Sequence, residues 1–337
     1  MIVKKPKIVC ADRFYMTSEA MKALEGVGEV FWSDAESEDD LIKELSGVAV
    51  VISEYVRITP RVLDASKDLK GVMVWGVGYN HVDVQAASER GILVANTSGS
   101  NAESVAEQAF SFILALSRKL LKADAFVKVG DWTSLEESSL PTGLVGNDIY
   151  GKTLGIIGLG NIGRRVARIG NGFNMRLLAY DPYVTTETAE KLGVKLLSLH
   201  KMLEEADYIT IHTVLNSETL GLISAKELAL MKPTAYLINS SRGLIINQSA
   251  LIDALASGRI SGVALDVFEK EPISKDNPLL RMSNVITTPH YAGNSKEALE
   301  ATSMRVSQET SRMIRGKTPL SLVNRQQLEE LGFLPKK

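Results

Sequence analysis

The sequence predicts an α/β protein made of two doubly wound parallel sheets, each covered by helices on both faces. Two sets of apolar runs and one glycine-rich motif carry that expectation. Short runs rich in β-branched residues recur at 7–10 (KIVC), 49–52 (AVVI), 72–75 (VMVW) and 92–95 (ILVA), with helical-length segments between them. The rhythm resumes at 153–157 (TLGII), 176–180 (RLLAY), 208–212 (YITIH), 235–238 (AYLI), 262–265 (GVAL) and 285–288 (VITT). Strands without polar alternation are buried on both faces, as a parallel sheet with crossover helices requires. The motif is a glycine-rich turn directly after the first run of the second set.

The chain has 337 residues, which at about 150 residues per domain suggests two domains. Its 38 Lys plus Arg against 40 Asp plus Glu leave a net charge of −2, and 45% of its residues are apolar. A balance so close to neutral lacks the basic stripe of a nucleic-acid protein, and no polybasic run offers itself to a membrane surface. Nowhere do 18 apolar residues run uncharged, so no transmembrane span is expected. Cys10 is the single cysteine, which excludes an intrachain disulfide and points to a reducing, cytoplasmic compartment. Asp12 and Arg13 follow the first lysines too closely for a signal peptide.

Two long helical patterns link the sets of strands. Residues 102–122 (AESVAEQAFSFILALSRKLLK) put Val105, Phe112, Leu116 and Leu120 on one stripe, widened by Ala106, Ala109 and Ile113. Residues 295–315 form a more polar helix. Both are expected to join the domains, one comprising residues 1–101 plus 297–337 and the other residues 102–296. The stretch 130–150 (GDWTSLEESSLPTGLVGNDIY) shows no periodicity and reads as an irregular arm. That arm and the apolar face of 102–122 together predict a homodimer.

Residues 153–164 read TLGIIGLGNIGR, an apolar strand followed by Gly158, Gly160 and Gly163 in G-x-G-x-x-G spacing and then a helical pattern. The first glycine permits the tight turn, the second lets backbone approach a pyrophosphate, and the third lets helix and strand pack closely. A helix N-terminus there offers N–H groups and partial positive charge to phosphates. Asp181 ends the next strand, 18 residues after Gly163, near the spacing of a carboxylate that accepts from adenosine ribose hydroxyls. Its charge would repel a 2′-phosphate, and residues 182–186 hold no Arg or Lys to receive one. NAD is therefore expected as cofactor, in preference to NADP.

Arg242 (in LINSSRG), Glu271 (in ALDVFEKEP) and His290 (in TTPHYAG) fall at the carboxyl ends of later strands, where an open α/β sheet binds ligands. Singly, each has a plain reading as a surface charge or a packed histidine. As an ordered set behind the fingerprint, they resemble the D-isomer-specific 2-hydroxyacid dehydrogenase family, and the likeness runs from about residue 45 to residue 315. It implies a flavodoxin-like substrate domain and a Rossmann NAD-binding domain. It further implies that Arg242 orients the substrate carboxylate, that His290 is the acid/base, and that Glu271 hydrogen-bonds His290.

The chemistry asks for these residue types. Reducing a 2-oxo acid builds negative charge on the ketone oxygen, and an imidazolium donates a proton there near neutral pH, a task worth roughly 10² to 10⁴ in rate. A neighbouring carboxylate favours the charged ring and fixes its orientation. A guanidinium fork matches a carboxylate bidentately.

The resemblance also implies that the backbone of Gly76, Val77 and Gly78, in VWGVGYNHVD, holds the substrate carboxylate with Arg242. It assigns Gly158, Gly160, Asn161, Ile162 and Gly163 to the pyrophosphate, Asp181 to the ribose and Asp266 to the nicotinamide carboxamide, with Thr213, Ser241 and Gly293 also lining the cofactor. No metal is expected. Two departures stand out: Val214 replaces a usual proline, and Asn80-His81 replaces a commoner Asp-Asn pair. His81, His200 and His212 read as structural.

The resulting expectation is an NAD-dependent oxidoreductase acting on a small, unphosphorylated 2-oxo or 2-hydroxy acid of the glyoxylate, hydroxypyruvate or pyruvate kind. Tyr55, Trp75, Tyr79, Trp132 and Tyr291 leave room for an aromatic substrate. D-3-phosphoglycerate dehydrogenase is the enzymatic alternative; Ser53, Glu54, Val74 and Trp75 stand where its phosphate would call for arginines, which leaves Arg57 and Arg61 to reach it instead. A non-enzymatic NAD(H) sensor resembling the C-terminal-binding corepressors is the alternative of another class.

Overall fold

Five strands of one sheet run parallel in the order β2-β1-β3-β4-β5: β1 Lys7–Cys10, β2 Glu29–Trp32, β3 Val48–Ser53, β4 Gly71–Val74 and β5 Leu93–Ala95. Every residue of β3 and β4 is buried. A second, seven-stranded parallel sheet has the order β12-β11-β10-β9-β6-β7-β8. Its strands are β6 Thr153–Ile157, β7 Arg176–Tyr180, β8 Val194–Leu196, β9 Tyr208–Ile211, β10 Tyr236–Asn239, β11 Gly262–Leu265 and β12 Val285–Thr287. These strands come from a computed structural model that describes residues 5–134, 136 and 141–336.

The chain divides into two units, Met1–Asn101 with Asn294–Lys337 and Ala102–Gly293. In the first, the strand order reverses between β1 and β3; in the second, between β6 and β9. Such switch points open a crevice beyond the carboxyl ends of the strands. In the second unit the crevice lies beside the glycine-rich turn that follows β6. The two faces of that sheet are filled separately, one by Ala106, Ala109, Ile113, Val166 and Ala167, the other by Met202, Leu203, Leu251 and Leu255.

Two strands, β2 and β8, escape the sequence pattern. Both lie at sheet edges, carry a charged residue (Glu29, Lys195) and are incompletely buried. An edge strand does not need the continuous apolar run that marks a central one.

The expected single helix over 102–122 is two helices, Ala102–Ser117 and Leu120–Lys128. Lys119 breaks them apart in the left-handed conformation, φ +53°. Its Nζ donates to Tyr236 Oη at 2.7 Å and lies 5.1 Å from the centre of that ring. Val105, Phe112 and Leu116 are buried as the stripe predicts, whereas Leu120, beyond the break, is 57% exposed. Along Ala102–Ser117 the stripe is covered by the unit's own core. The returning helix spans Lys296–Ile314, and its Val306 and Met313 pack with Ile8, Val50, Ile52 and Met73.

Residues 135 and 137–140 of the expected irregular arm lie outside the described residues; a 3₁₀ turn follows at Thr142–Leu144. Among the described residues, no helix is long and apolar enough to cross a membrane.

Candidate active site

The turn after β6 meets the demands its three glycines imply. Gly158 has φ +90°, and a Cβ there would stand 2.6 Å from the His212 carbonyl oxygen. A Cβ on Gly163 would stand 2.1 Å from the Gly158 oxygen, so only glycine lets the helix start this close to the strand. At Gly160, by contrast, nothing lies within 4 Å of a Cβ position. Gly160 caps the helix Asn161–Gly172 with no side-chain hydrogen bond, and the partial positive charge of a helix N-terminus suits an anion there. Open space over Gly160 at the start of a helix is compatible with a dinucleotide diphosphate.

Asp181 stands directly beyond β7. Its Oδ2 accepts from Leu159 N–H at 2.8 Å and its Oδ1 from Tyr183 N–H at 2.9 Å. A carboxylate has about four acceptor sites, so capacity remains for ribose hydroxyls. The Thr213 backbone flanks Gly158, and Ser241 Oγ ties its loop to Ile211 O at 2.7 Å. Val214 is half exposed, and Thr219 Oγ1 donates to its carbonyl at 2.6 Å, a tether for the loop in which proline is absent.

The strand ends of β10, β11 and β12 bring Arg242, Glu271 and His290 into one unit. His290 Nδ1 lies 2.6 Å from Glu271 Oε2, and Phe268 N–H donates to Glu271 Oε1 at 2.8 Å. Partial burial by itself would raise the Glu271 carboxyl; the hydrogen bonds from His290 and Phe268 and the charges of His290 and Arg242 outweigh it and hold it below the usual glutamate range. Arg242 Nη1 donates to Ser241 O at 2.7 Å. The next residue, Gly243, lets this loop lie against the backbone of Phe268, since a Cβ there would stand 1.9 Å from the Phe268 carbonyl carbon.

His290 holds φ +53°, a region that residues with a Cβ seldom adopt. Asp266 supplies the constraint. Its backbone oxygen accepts from His290 N–H at 2.8 Å, and its buried carboxylate accepts from Tyr291 N–H at 3.0 Å, Ala292 N–H at 2.8 Å and Thr288 Oγ1 at 2.5 Å. The residue expected at the nicotinamide thus also builds the loop that presents the histidine, ahead of Gly293.

Of the other histidines, His212 is buried, and burial pushes its pKa down to about 3, so its ring is neutral near pH 7. Thr210 Oγ1 stands 2.8 Å from its Nε2. His200 Nε2 lies 3.3 Å from Glu227. Neither adjoins the Glu271 carboxylate. Asn239 was not anticipated: fully buried at the end of β10, it donates from Nδ2 to Arg242 O at 2.9 Å and accepts from Ser241 N–H at 3.0 Å. A lone amide closing an otherwise apolar strand (YLIN) was the available signal.

Gly76, Val77 and Gly78 lie in the first unit, beyond β4. There Trp75 is buried, its ring 5.7 Å from that of Phe14 and its Nε1 donating to Tyr15 O at 3.1 Å. Arg61 is likewise committed, 2.6 Å from Asp39 and 3.6 Å from Glu38.

Residues 110–292 match the family described as D-isomer specific 2-hydroxyacid dehydrogenase, NAD binding domain. The chain is 41% identical over 269 residues to the glyoxylate reductase of Korarchaeum cryptofilum, covering 80% of each. To the D-3-phosphoglycerate dehydrogenase of Methanocaldococcus jannaschii it is 37% identical over 332 residues, 97% of this chain but 62% of that relative's length. Among solved structures, it resembles the NADPH-dependent glyoxylate/hydroxypyruvate reductase of Sinorhizobium meliloti in complex with NADP and malonate. That likeness has a TM-score of 0.84 at 28% identity and covers 95% of this chain and 97% of that one. The dinucleotide turn, the ordered Arg242, Glu271 and His290 and these matches agree, and the chain belongs to the D-isomer specific 2-hydroxyacid dehydrogenase family.

Proposed function

We propose that this chain catalyses the reversible, NAD(H)-dependent interconversion of a small 2-oxo acid and its D-2-hydroxy acid. The His290–Glu271 pair, 2.6 Å apart in the unit that also carries the dinucleotide turn, is the observation that carries the reading. The nicotinamide cofactor, when bound, donates or accepts the hydride. His290 exchanges the proton with the substrate oxygen through Nε2, because its Nδ1 is turned to Glu271. The Glu271 carboxylate orients the ring through Nδ1. Arg242 grips the substrate carboxylate, and Asn239 and Gly243 fix the loop from which it reaches. In this reading Ala102–Gly293 binds the cofactor, and Met1–Asn101 with Asn294–Lys337 is the substrate-binding domain.

The substrate class we favour is unphosphorylated, of the size of glyoxylate, hydroxypyruvate or pyruvate. A phosphate would need cations at the strand ends of the first unit, where Ser53, Glu54, Val74 and Trp75 stand, and Arg61 is already paired with two carboxylates. Asp181 favours NAD over NADP by like-charge repulsion of a 2′-phosphate.

NADH consumption with a panel of 2-oxo acids, run beside NAD reduction with D-3-phosphoglycerate, tests the reading. Turnover of the small acids supports it. Efficient oxidation of D-3-phosphoglycerate alone would make the chain a phosphoglycerate dehydrogenase, and tight NADH binding with no turnover would make it a sensor.

We also propose a homodimer formed through the helix Leu120–Lys128, which has no buried residue. Leu121, Val127, Val129, Trp132 and Val145 are each more than half exposed in and after it, a concentration of apolar surface that single scattered residues do not explain.

A further inference from the structure

We propose that Asn96 is a positioning residue for the substrate: by holding the Val77 carbonyl, it turns the N–H groups of Val77 and Gly78 outward as a two-donor cradle for the substrate carboxylate. The inference rests on the function proposed above and deepens it.

The geometry follows from two hydrogen bonds. Thr97 N–H donates to the Gly76 carbonyl at 2.9 Å, and Asn96 Nδ2 donates to the Val77 carbonyl at 2.7 Å. Two consecutive carbonyls of the loop are therefore pulled to the same side, towards the chain leaving β5. In a trans peptide the C=O and the following N–H point in opposite directions. The Val77 N–H shares a plane with the Gly76 carbonyl, and the Gly78 N–H with the Val77 carbonyl. Both donors consequently face away from residues 96–97, side by side, and among the described residues neither N–H has a hydrogen-bond partner in the chain. Gly76 makes the arrangement accessible with φ +139°, and a Cβ there would meet nothing within 4 Å.

A neighbouring strand end displays what such a row of amides takes. Beyond β3, the N–H groups of Glu54, Tyr55 and Val56 all point at one carboxylate, Asp12, at 2.8 to 3.2 Å. That row is filled by the chain's own acid; the row at 77–78 is not. Successive amides of this kind form an anion-binding concavity, and charge-assisted hydrogen bonds to it are stronger than neutral ones.

Asn96 is suited to the task by its surroundings. It is buried, and its Oδ1 accepts from Ser98 N–H at 3.2 Å, which assigns the amide orientation and commits Nδ2 to Val77. Side chain and backbone of two adjacent residues, 96 and 97, thus set two adjacent peptide planes.

Asn96→Asp separates this role from a general one, because it keeps the acceptor for Ser98 and loses the donor to Val77. We expect KM for a 2-oxo acid such as pyruvate to rise about tenfold or more, consistent with the loss of one charge-assisted hydrogen bond. The Kd for NADH should stay within about twofold, as should kcat/KM for the uncharged ester ethyl pyruvate, which has no carboxylate to cradle. Asn96→Ser, whose hydroxyl is too short to reach Val77, should behave alike and serves if the aspartate variant does not fold. An unchanged KM for pyruvate, or equal losses on acid and ester, would overturn the proposal while leaving the proposed function intact. Absence of 2-oxo acid turnover by the wild-type chain would overturn both.

Discussion

His290 Nδ1 and Glu271 Oε2 are 2.6 Å apart, and the second oxygen of the same carboxylate is pinned by Phe268 N–H at 2.8 Å. The ring is therefore oriented by a group that is itself oriented, so both partners are held in place before substrate arrives. Removing the ring removes the proton donor and leaves the dinucleotide turn untouched. His290→Ala should lower kcat by roughly 10² to 10⁴ in both directions, with NADH affinity, read by fluorescence titration, nearly unchanged.

The sign of the pH dependence follows from Glu271. Its folded pKa lies below its ordinary value, so the stability and activity owed to the pair are fully present above about pH 4.3 and are lost as pH falls through the depressed value. Glu271→Gln should flatten that acid limb of both the melting-temperature and the rate profile, and it should lower the rate plateau, because an amide does not orient the ring as the carboxylate does. Profiles that overlay the wild type would show that the carboxylate is a bystander.

Arg242, Glu271, His290 and the glycine-rich turn were legible because each is a fixed residue type at a fixed place relative to an apolar strand. Fixing that presentation is another matter. Asn239, Asp12 and Asn96 act through hydrogen bonds to backbone groups of loops, and such bonds depend on register and loop path, which apolar periodicity does not encode. β2 and β8 were missed for a related reason, since an edge strand is defined by its pairing and not by its composition. The break at Lys119 is a tertiary effect: the local sequence is a good helix former, and the Tyr236 hydroxyl and ring recruit the lysine out of the helix.

Asp266 offers a test of presentation separate from chemistry. Asp266→Asn replaces one accepting oxygen by a donor, which opposes at least one of the Tyr291, Ala292 and Thr288 donors. The left-handed His290 should then lose its restraint. We expect kcat to fall about 10²-fold, the scale of a 1 Å misplacement, with a lower melting temperature that His290→Ala does not show.

Cofactor choice should turn on Asp181. Asp181→Ser with Pro182→Arg removes the charge that faces a 2′-phosphate and adds one that attracts it. The ratio of kcat/KM for NADH over NADPH should drop by about 10² or more, and wild type should favour NADH. Equal use of both cofactors by wild type would mean that the Asp181 carboxylate does not face the ribose.

The apolar surface on Leu120–Lys128 predicts association. Sedimentation of the wild type at micromolar concentration should give a dimer, and Leu121→Asp with Val127→Asp should give a folded monomer, since both residues are exposed and support no core. A wild-type monomer would leave that surface to another partner.

The last two glycines of the turn, Gly160 and Gly163, separate folding from binding most cleanly. A Cβ at Gly163 would press on the Gly158 carbonyl oxygen at 2.1 Å, backbone that gives way only if the turn or the helix shifts. Gly163→Ala should therefore destabilise the chain by about 1 to 3 kcal/mol, as overpacking does, and weaken NADH binding by distorting the turn. A Cβ at Gly160 meets no protein atom within 4 Å, so Gly160→Ala should leave the melting temperature within a degree or two while raising the Kd for NADH at least tenfold, because the methyl group occupies the space the diphosphate needs. If Gly160→Ala binds NADH like the wild type, the open space above that glycine is not where the diphosphate lies.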